Sequence, residues 1–223
     1  MTILNLTRDL LRSGDYLRSF RDLPEDRRWT LPQIEDSLAR TYAGRPPGER
    51  VWLFAYGSLM WNPLLHFVDC RKATLFGWRR SFCLDMTAGR ASNEAPGRML
   101  ALESAWYASQ GVAFLLPDKD AVEELRLVWI REMVTGAYQP IWTGIALDDG
   151  SIASAITFVA DPARPQFRAD SSIATVAPLI ANASGPFGSN ADYLFELEAA
   201  LTAHGLQDGH ISGLAAEVRR LSA

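Results

Sequence analysis

From residue 51 onward the chain breaks into short apolar segments with the alternation, or the continuous bulk, of strands. VWLFAY (51–56), TLFGWRRSFCL (74–84), RMLALE (98–103), QGVAFLLP (110–117), PIWTGIAL (140–147) and SIASAITFV (151–159) are rich in aromatic and β-branched residues. Gly, Asp and Pro turns separate them. Apolar positions at helical spacing occupy 120–135, IATVAPLIANA (173–183), NADYLFELEAALTAHG (190–205) and a last amphipathic piece towards the C-terminus. About six short strands with segregated helices predict an α+β fold whose sheet is curled or closed.

Residues 1–50 read differently. They hold nine arginines and eight acidic residues and end in the loop AGRPPGER (43–50). TLPQIEDSLARTY predicts a helix with Thr30 as cap, Gln33 completing a capping box and Pro32 in the first turn. The expected organisation is a charged helical appendage over 1–50, a solvated lid or a packing arm, joined to a domain over 51–223.

Composition narrows the function classes. With 48% hydrophobic and 22% charged residues the chain has an ordinary globular balance. A net charge of −4 gives no electrostatic footprint for nucleic acid. The only lysines are Lys72 and Lys119, so there is no polybasic membrane patch. No apolar run approaches the roughly 20 residues that span a bilayer, and Arg8 and Asp9 interrupt the N-terminus before a signal-type core forms. Cys70 and Cys83 cannot make a disulfide framework, and His66, His204 and His210 lack metal-ligand spacing. The expectation is a soluble, cytoplasmic protein without metal or cofactor.

Two features carry candidate chemistry. In FAYGSLMWNP (54–63) a Gly-Ser turn lies between two apolar segments, where a surface turn would be polar on its far side. Glycine there lets backbone N–H groups converge on an anion, although an ordinary strand-ending turn has the same pattern. Ser58 lacks the Gly-x-Ser-x-Gly setting of a hydrolase nucleophile. In the helix DAVEELRLVWIREMVTG, with Asp120 as cap and Glu123 as its box partner, about 100° per residue gathers Val122, Leu125, Val128, Trp129 and Met133. Glu132 falls in the middle of that stripe, while Glu123, Glu124, Arg126 and Arg131 fall off it. Leu127 and Ile130 also fall off, which implies contact on a second side. A carboxylate on an apolar stripe is costly unless paired or used. Glu132 is therefore either bonded to a buried arginine such as Arg80 or Arg98, or catalytic. Cys83, on an alternating strand, belongs to the core, and the Gly-rich loop SGPFGSNADYLFEL (184–197), its helix capped near Asn190, matches no phosphate-binding pattern.

FAYGSLMWNP, GWRRSFCL, WIREMVTGAYQPIW and GPFGSNADYLFEL, in this order, resemble the ChaC-like γ-glutamylcyclotransferases from about Val51 to the C-terminal helix. One departure is Ala55, where the family more often has glycine. The resemblance implies a small closed β-barrel with peripheral helices and a glutathione-specific activity that releases 5-oxoproline and cysteinyl-glycine without a cofactor. It implies Glu132 as the catalytic acid and the turn Ala55, Tyr56, Gly57, Ser58, Leu59 and Met60 as the substrate-binding element. The competing expectations are a cyclotransferase for another γ-glutamyl amine and a small-molecule binding protein that performs no turnover in the same pocket.

Overall fold

The computed structural model describes residues 4–222. Five strands, Trp52–Ala55 (β1), Asp69–Met86 (β2), Gly97–Leu115 (β3), Tyr138–Leu147 (β4) and Ile152–Ala160 (β5), close into a barrel in the order β1-β3-β2-β4-β5. β1 is buried along its whole length, which explains its unbroken apolar run. It pairs with β3 antiparallel and with β5 parallel, Trp52 opposite Ala155 and Leu53 opposite Ile156.

One expectation needs correction here. RMLALE and QGVAFLLP are not separate strands but the two ends of β3, joined through ESAWYAS. β2 and β3 stay paired across a bulge: Phe76 faces Ala108 and Trp78 faces Ser104, so β3 spends four residues where β2 spends two. Gly77, with φ 84°, takes the left-handed conformation that the bend requires. Trp106 and Tyr107 stand exposed on the bulge and interrupt the alternation, which made one strand read as two.

Helices cover the barrel: Ala121–Glu132 (α4) in the middle of the chain, then Ile173–Asn182 (α5), Asn190–Ala203 (α6) and Gly209–Leu221 (α7). The cap of α6 is Ser189, one residue before the expected position. Its hydroxyl accepts from Asp192 N–H (2.9 Å) and the Asp192 carboxylate accepts from Ser189 N–H (3.3 Å). Asn190 is thereby the first helical residue and uses its side chain to accept from Arg98 N–H (2.8 Å). No described helix is long and apolar enough to cross a membrane.

The first 50 residues form Arg8–Arg12 (α1), Asp15–Arg18 (α2) and Leu31–Ala43 (α3). Gln33 Oε1 accepts from Thr30 N–H (2.8 Å), closing the expected capping box. Leu11, Tyr16, Phe20, Leu23, Ile34 and Leu38 belong to the same hydrophobic core as the barrel. The segment is thus a packing arm rather than a solvated lid. Charge also fastens it. Arg8 donates two hydrogen bonds to Glu124 (2.6 and 2.8 Å), and His66 N–H donates a third (2.8 Å). Glu124, expected off the buried face, is 4% exposed.

Burial pushes the Glu124 carboxyl up, but the bonds from Arg8 and His66 N–H outweigh it and hold it below its ordinary value of 4.5. The stabilisation is therefore present above the unfolded pKa and lost as pH falls through the lower folded one. Arg8→Met would leave a buried carboxylate without its counter-ion, and at pH 7 it should cost about 3 kcal/mol. Thermal melts at pH 7 and near pH 3 check this. The gap from wild type should shrink on the acid side, and an unchanged melting temperature at pH 7 would show that the latch contributes nothing.

Candidate active site

Glu132 is the last residue of α4, and its side chain retains 16% exposure into a cavity of about 930 Å³. Burial pushes its carboxyl up, with the Arg131 charge pulling the other way. The negative end of the helix dipole acts in the same direction as burial. The two arginines considered as structural partners are engaged elsewhere: Arg80 with Asp208 (3.2 Å) and Arg98 with Asp85 (2.7 Å). The neighbour of Glu132 is Arg131, its Nε 3.2 Å from Oε1.

Arg131 is the residue that the helical wheel set aside as a surface charge. It is 7% exposed and ties three things together. Nε faces Glu132, Nη2 donates to Ser58 Oγ (2.6 Å), and Nη1 donates to the Asn62 carbonyl. Its own carbonyl accepts from Tyr16 Oη of the arm (3.2 Å). The signal was present in the sequence: Glu124, Leu127 and Arg131 recur at helical spacing as a second buried line, with Ile130 beside it. A helix buried on two sides hides its charges from a one-stripe reading.

The Tyr-Gly-Ser turn leaves β1 and becomes a short 3-10 turn, Ser58–Met60, closed by Met60 N–H to the Gly57 carbonyl (2.8 Å). Arg80, almost fully buried, donates to the Tyr56 carbonyl (2.8 Å) and to the Gln110 carbonyl, and so pins the turn to β3. Gly57 has φ −131°, so a left-handed backbone is not its reason for being glycine. Close approach is. A Cβ there would stand 2.8 Å from Tyr193 Oη and 3.2 Å from Leu100 Cδ2. Tyr193, on α6, packs edge-on against Trp61 (5.3 Å between ring centres). Burial, then the Glu132 charge, pushes its phenol up to about 12.

The six turn residues do not meet the cavity equally. Ser58 lines it, together with Glu132, Arg131, Tyr193 and Trp61, while Ala55, Tyr56, Gly57, Leu59 and Met60 lie behind that wall. Tyr56 turns its hydroxyl inward to the Phe158 carbonyl (2.7 Å). The loop before α6 also reaches the site, through Phe187 and Gly188. So does the arm, through Leu4, Tyr16, Phe20 and Arg27. Cys83 takes no part: it is buried, and burial pushes its thiol up to about 12.

Residues 51–221 match the family model described as ChaC-like protein. The chain belongs to the ChaC-like family. It is similar to the glutathione-specific γ-glutamylcyclotransferase of Escherichia coli, with 46% identity over 98% of this chain and 94% of that protein. γ-Glutamylcyclotransferase 2-3 of Arabidopsis thaliana is 30% identical over 77% of this chain and 89% of its own length. Among solved structures, the glutathione-specific γ-glutamyl cyclotransferase from yeast superposes with a TM-score of 0.70 at 20% identity, covering 78% of this chain and 97% of that one. That likeness concerns the fold. Three of the four ChaC-like blocks read from the sequence border one cavity, through the turn at Ser58, the α4 terminus and the start of α6, while GWRRSFCL does not line it.

Proposed function

We propose that this ChaC-like chain is a glutathione-specific γ-glutamylcyclotransferase with Glu132 as its acid–base. The observation that carries the assignment of Glu132 is its position in the wall of the cavity, with a carboxyl whose pKa is raised by burial. The strong relation to the E. coli protein supports the reaction and its substrate. We take 51–223 as the cyclotransferase domain and 1–50 as an arm folded onto it, a division supported by where the family match begins. Two unbridged cysteines suit a reducing, cytoplasmic setting.

The reaction needs a folded substrate more than a reagent. The glutamyl α-amine attacks its own γ-carbonyl, a five-membered lactam forms, and the C–N bond to cysteinyl-glycine breaks. Nucleophile and electrophile belong to one molecule, so holding the cyclising conformer can supply on the order of 7–11 kcal/mol. Glu132 takes a proton from the ammonium and returns one to the leaving nitrogen, and the second proton shed by the ring nitrogen passes to the released amine, which departs as its ammonium. An ordinary carboxyl near 4.3 is a poor match for an amine near 8; a carboxyl raised by burial narrows the gap. Arg131 joins Glu132 to Ser58, the turn residue that borders the same cavity.

Incubation with glutathione should yield 5-oxoproline and cysteinyl-glycine in equal amounts, at a rate unchanged by excess chelator or exhaustive dialysis. Preferential turnover of γ-glutamyl amines other than glutathione would move the assignment to another substrate. A thermal shift with glutathione and no product would make the protein a binder. Activity lost on chelation and restored by a divalent metal would overturn the cofactor-free mechanism.

A further inference from the structure

The cavity is larger than a glutamyl group requires, and its charges do not all cancel. Arg98 pairs with Asp85 (2.7 Å), Arg90 with Glu196 (2.9 Å) and Arg131 with Glu132 (3.2 Å). Asp192 is committed to the α6 capping box. The remaining charged group on the wall is Arg27, which follows α2 in the arm and ends the short 3-10 turn Glu25–Arg27. Among the described residues its guanidinium makes no hydrogen bond and no ion pair. The backbone that carries it is nevertheless anchored beside the site. Two residues on, Trp29 N–H donates to the Val134 carbonyl (2.8 Å), two residues beyond Glu132, and the arm is latched to α4 again through Arg8 and Tyr16.

A cation on the cavity wall with no protein partner is free to receive an anionic group of a ligand. The cyclotransferase reading, on which this inference rests, uses the glutamyl ammonium and carboxylate near Glu132 and the turn. Glutathione carries a second carboxylate at its glycine end. We infer that Arg27 binds this terminal carboxylate and so selects γ-glutamyl peptides over γ-glutamyl compounds with a neutral end. The specificity element then lies in the arm, outside the residues that the family model matches. A guanidinium supplies a planar pair of donors suited to a carboxylate.

The test compares glutathione with its C-terminal amide, which differs only in that charge, on the full chain and on Arg27→Ala and Arg27→Lys. In the wild type the amide should be turned over with a KM about tenfold higher and a similar kcat, the signature of a contact made equally in ground and transition states. Arg27→Ala should raise the glutathione KM about tenfold and leave the amide KM where it was. Arg27→Lys should recover part of the loss. Melting temperatures should not move, since the side chain is exposed and has no partner to abandon. Equal KM values for the two substrates in the wild type, with 5-oxoproline formed from both, would overturn the role of Arg27 while leaving the activity standing. A rise for both substrates in Arg27→Ala would also overturn it, as a general effect on the arm. Absence of product from either substrate would overturn the activity and this inference together.

Discussion

Glu132→Gln is expected to lower the rate of 5-oxoproline release at saturating glutathione by about 10²–10⁴-fold in a protein that remains folded. Glutamine has nearly the size and helix propensity of glutamate, so α4 should keep its last turn. It can neither take the ammonium proton nor return one to the leaving nitrogen. Arg131 would not be stranded, because Ser58 Oγ and the Asn62 carbonyl still accept from it. Stability carries its own signature. A carboxyl whose folded pKa lies above the unfolded value stabilises the fold below the unfolded pKa, and that contribution is lost as pH rises through the folded one. At pH 7 the wild type thus bears a cost that glutamine removes, so the variant should melt no lower than the wild type there, and relatively lower near pH 4. A folded variant that keeps its rate within about threefold, far short of a general acid–base loss, would make Glu132 a structural residue.

Gly57→Val should be nearly as damaging by a different route. The new Cβ would meet Tyr193 Oη at 2.8 Å, and the tyrosine cannot easily yield, being wedged against Trp61 and Phe82. The turn, or α6, must move instead. Displacements of about 1 Å in a positioning element can cost 10²-fold in rate, whereas overpacking of this kind costs about 1–3 kcal/mol in stability. Activity assays beside circular dichroism and a melt separate the two. Gly57→Ala, which lacks the branched methyls, should fall between wild type and valine. A valine variant with wild-type activity would show that Gly57 and Tyr193 need not touch for catalysis.

Much of this arrangement was legible because burial leaves periodic traces. β1, β4 and β5 each coincide closely with a single apolar segment of the sequence, and the Thr30 capping box is a local signal that tertiary packing did not override. Glu132 stood out because one acid among Leu125, Val128 and Trp129 is chemically anomalous. The same helix concealed Glu124 and Arg131, since a wheel drawn for one buried face sorts the charges of a second face with the surface. β3 was split by its bulge, where exposed aromatics mimic a linker. The inward course of the arm was obscured by its charge: Leu11, Tyr16, Phe20 and Leu23 are spaced among arginines and acids that face solvent. That only Ser58 of the turn meets the cavity is a matter of which side of a backbone faces a void, and side-chain pattern says nothing about it.

The pairing of β1 with β5 bears on how the protein is made. Leu53 must find Ile156, and Arg8 must find Glu124, 116 residues later, before barrel and cavity exist. Ordering entropy for such distant partners is spent ahead of the contacts that offset it, so assembly is slow compared with helical proteins of this size. During synthesis the arm emerges before the barrel, with Leu11, Tyr16, Phe20 and Leu23 exposed until the segments that bury them have followed. The element that walls the finished site is therefore the one most open to aggregation while the chain is incomplete.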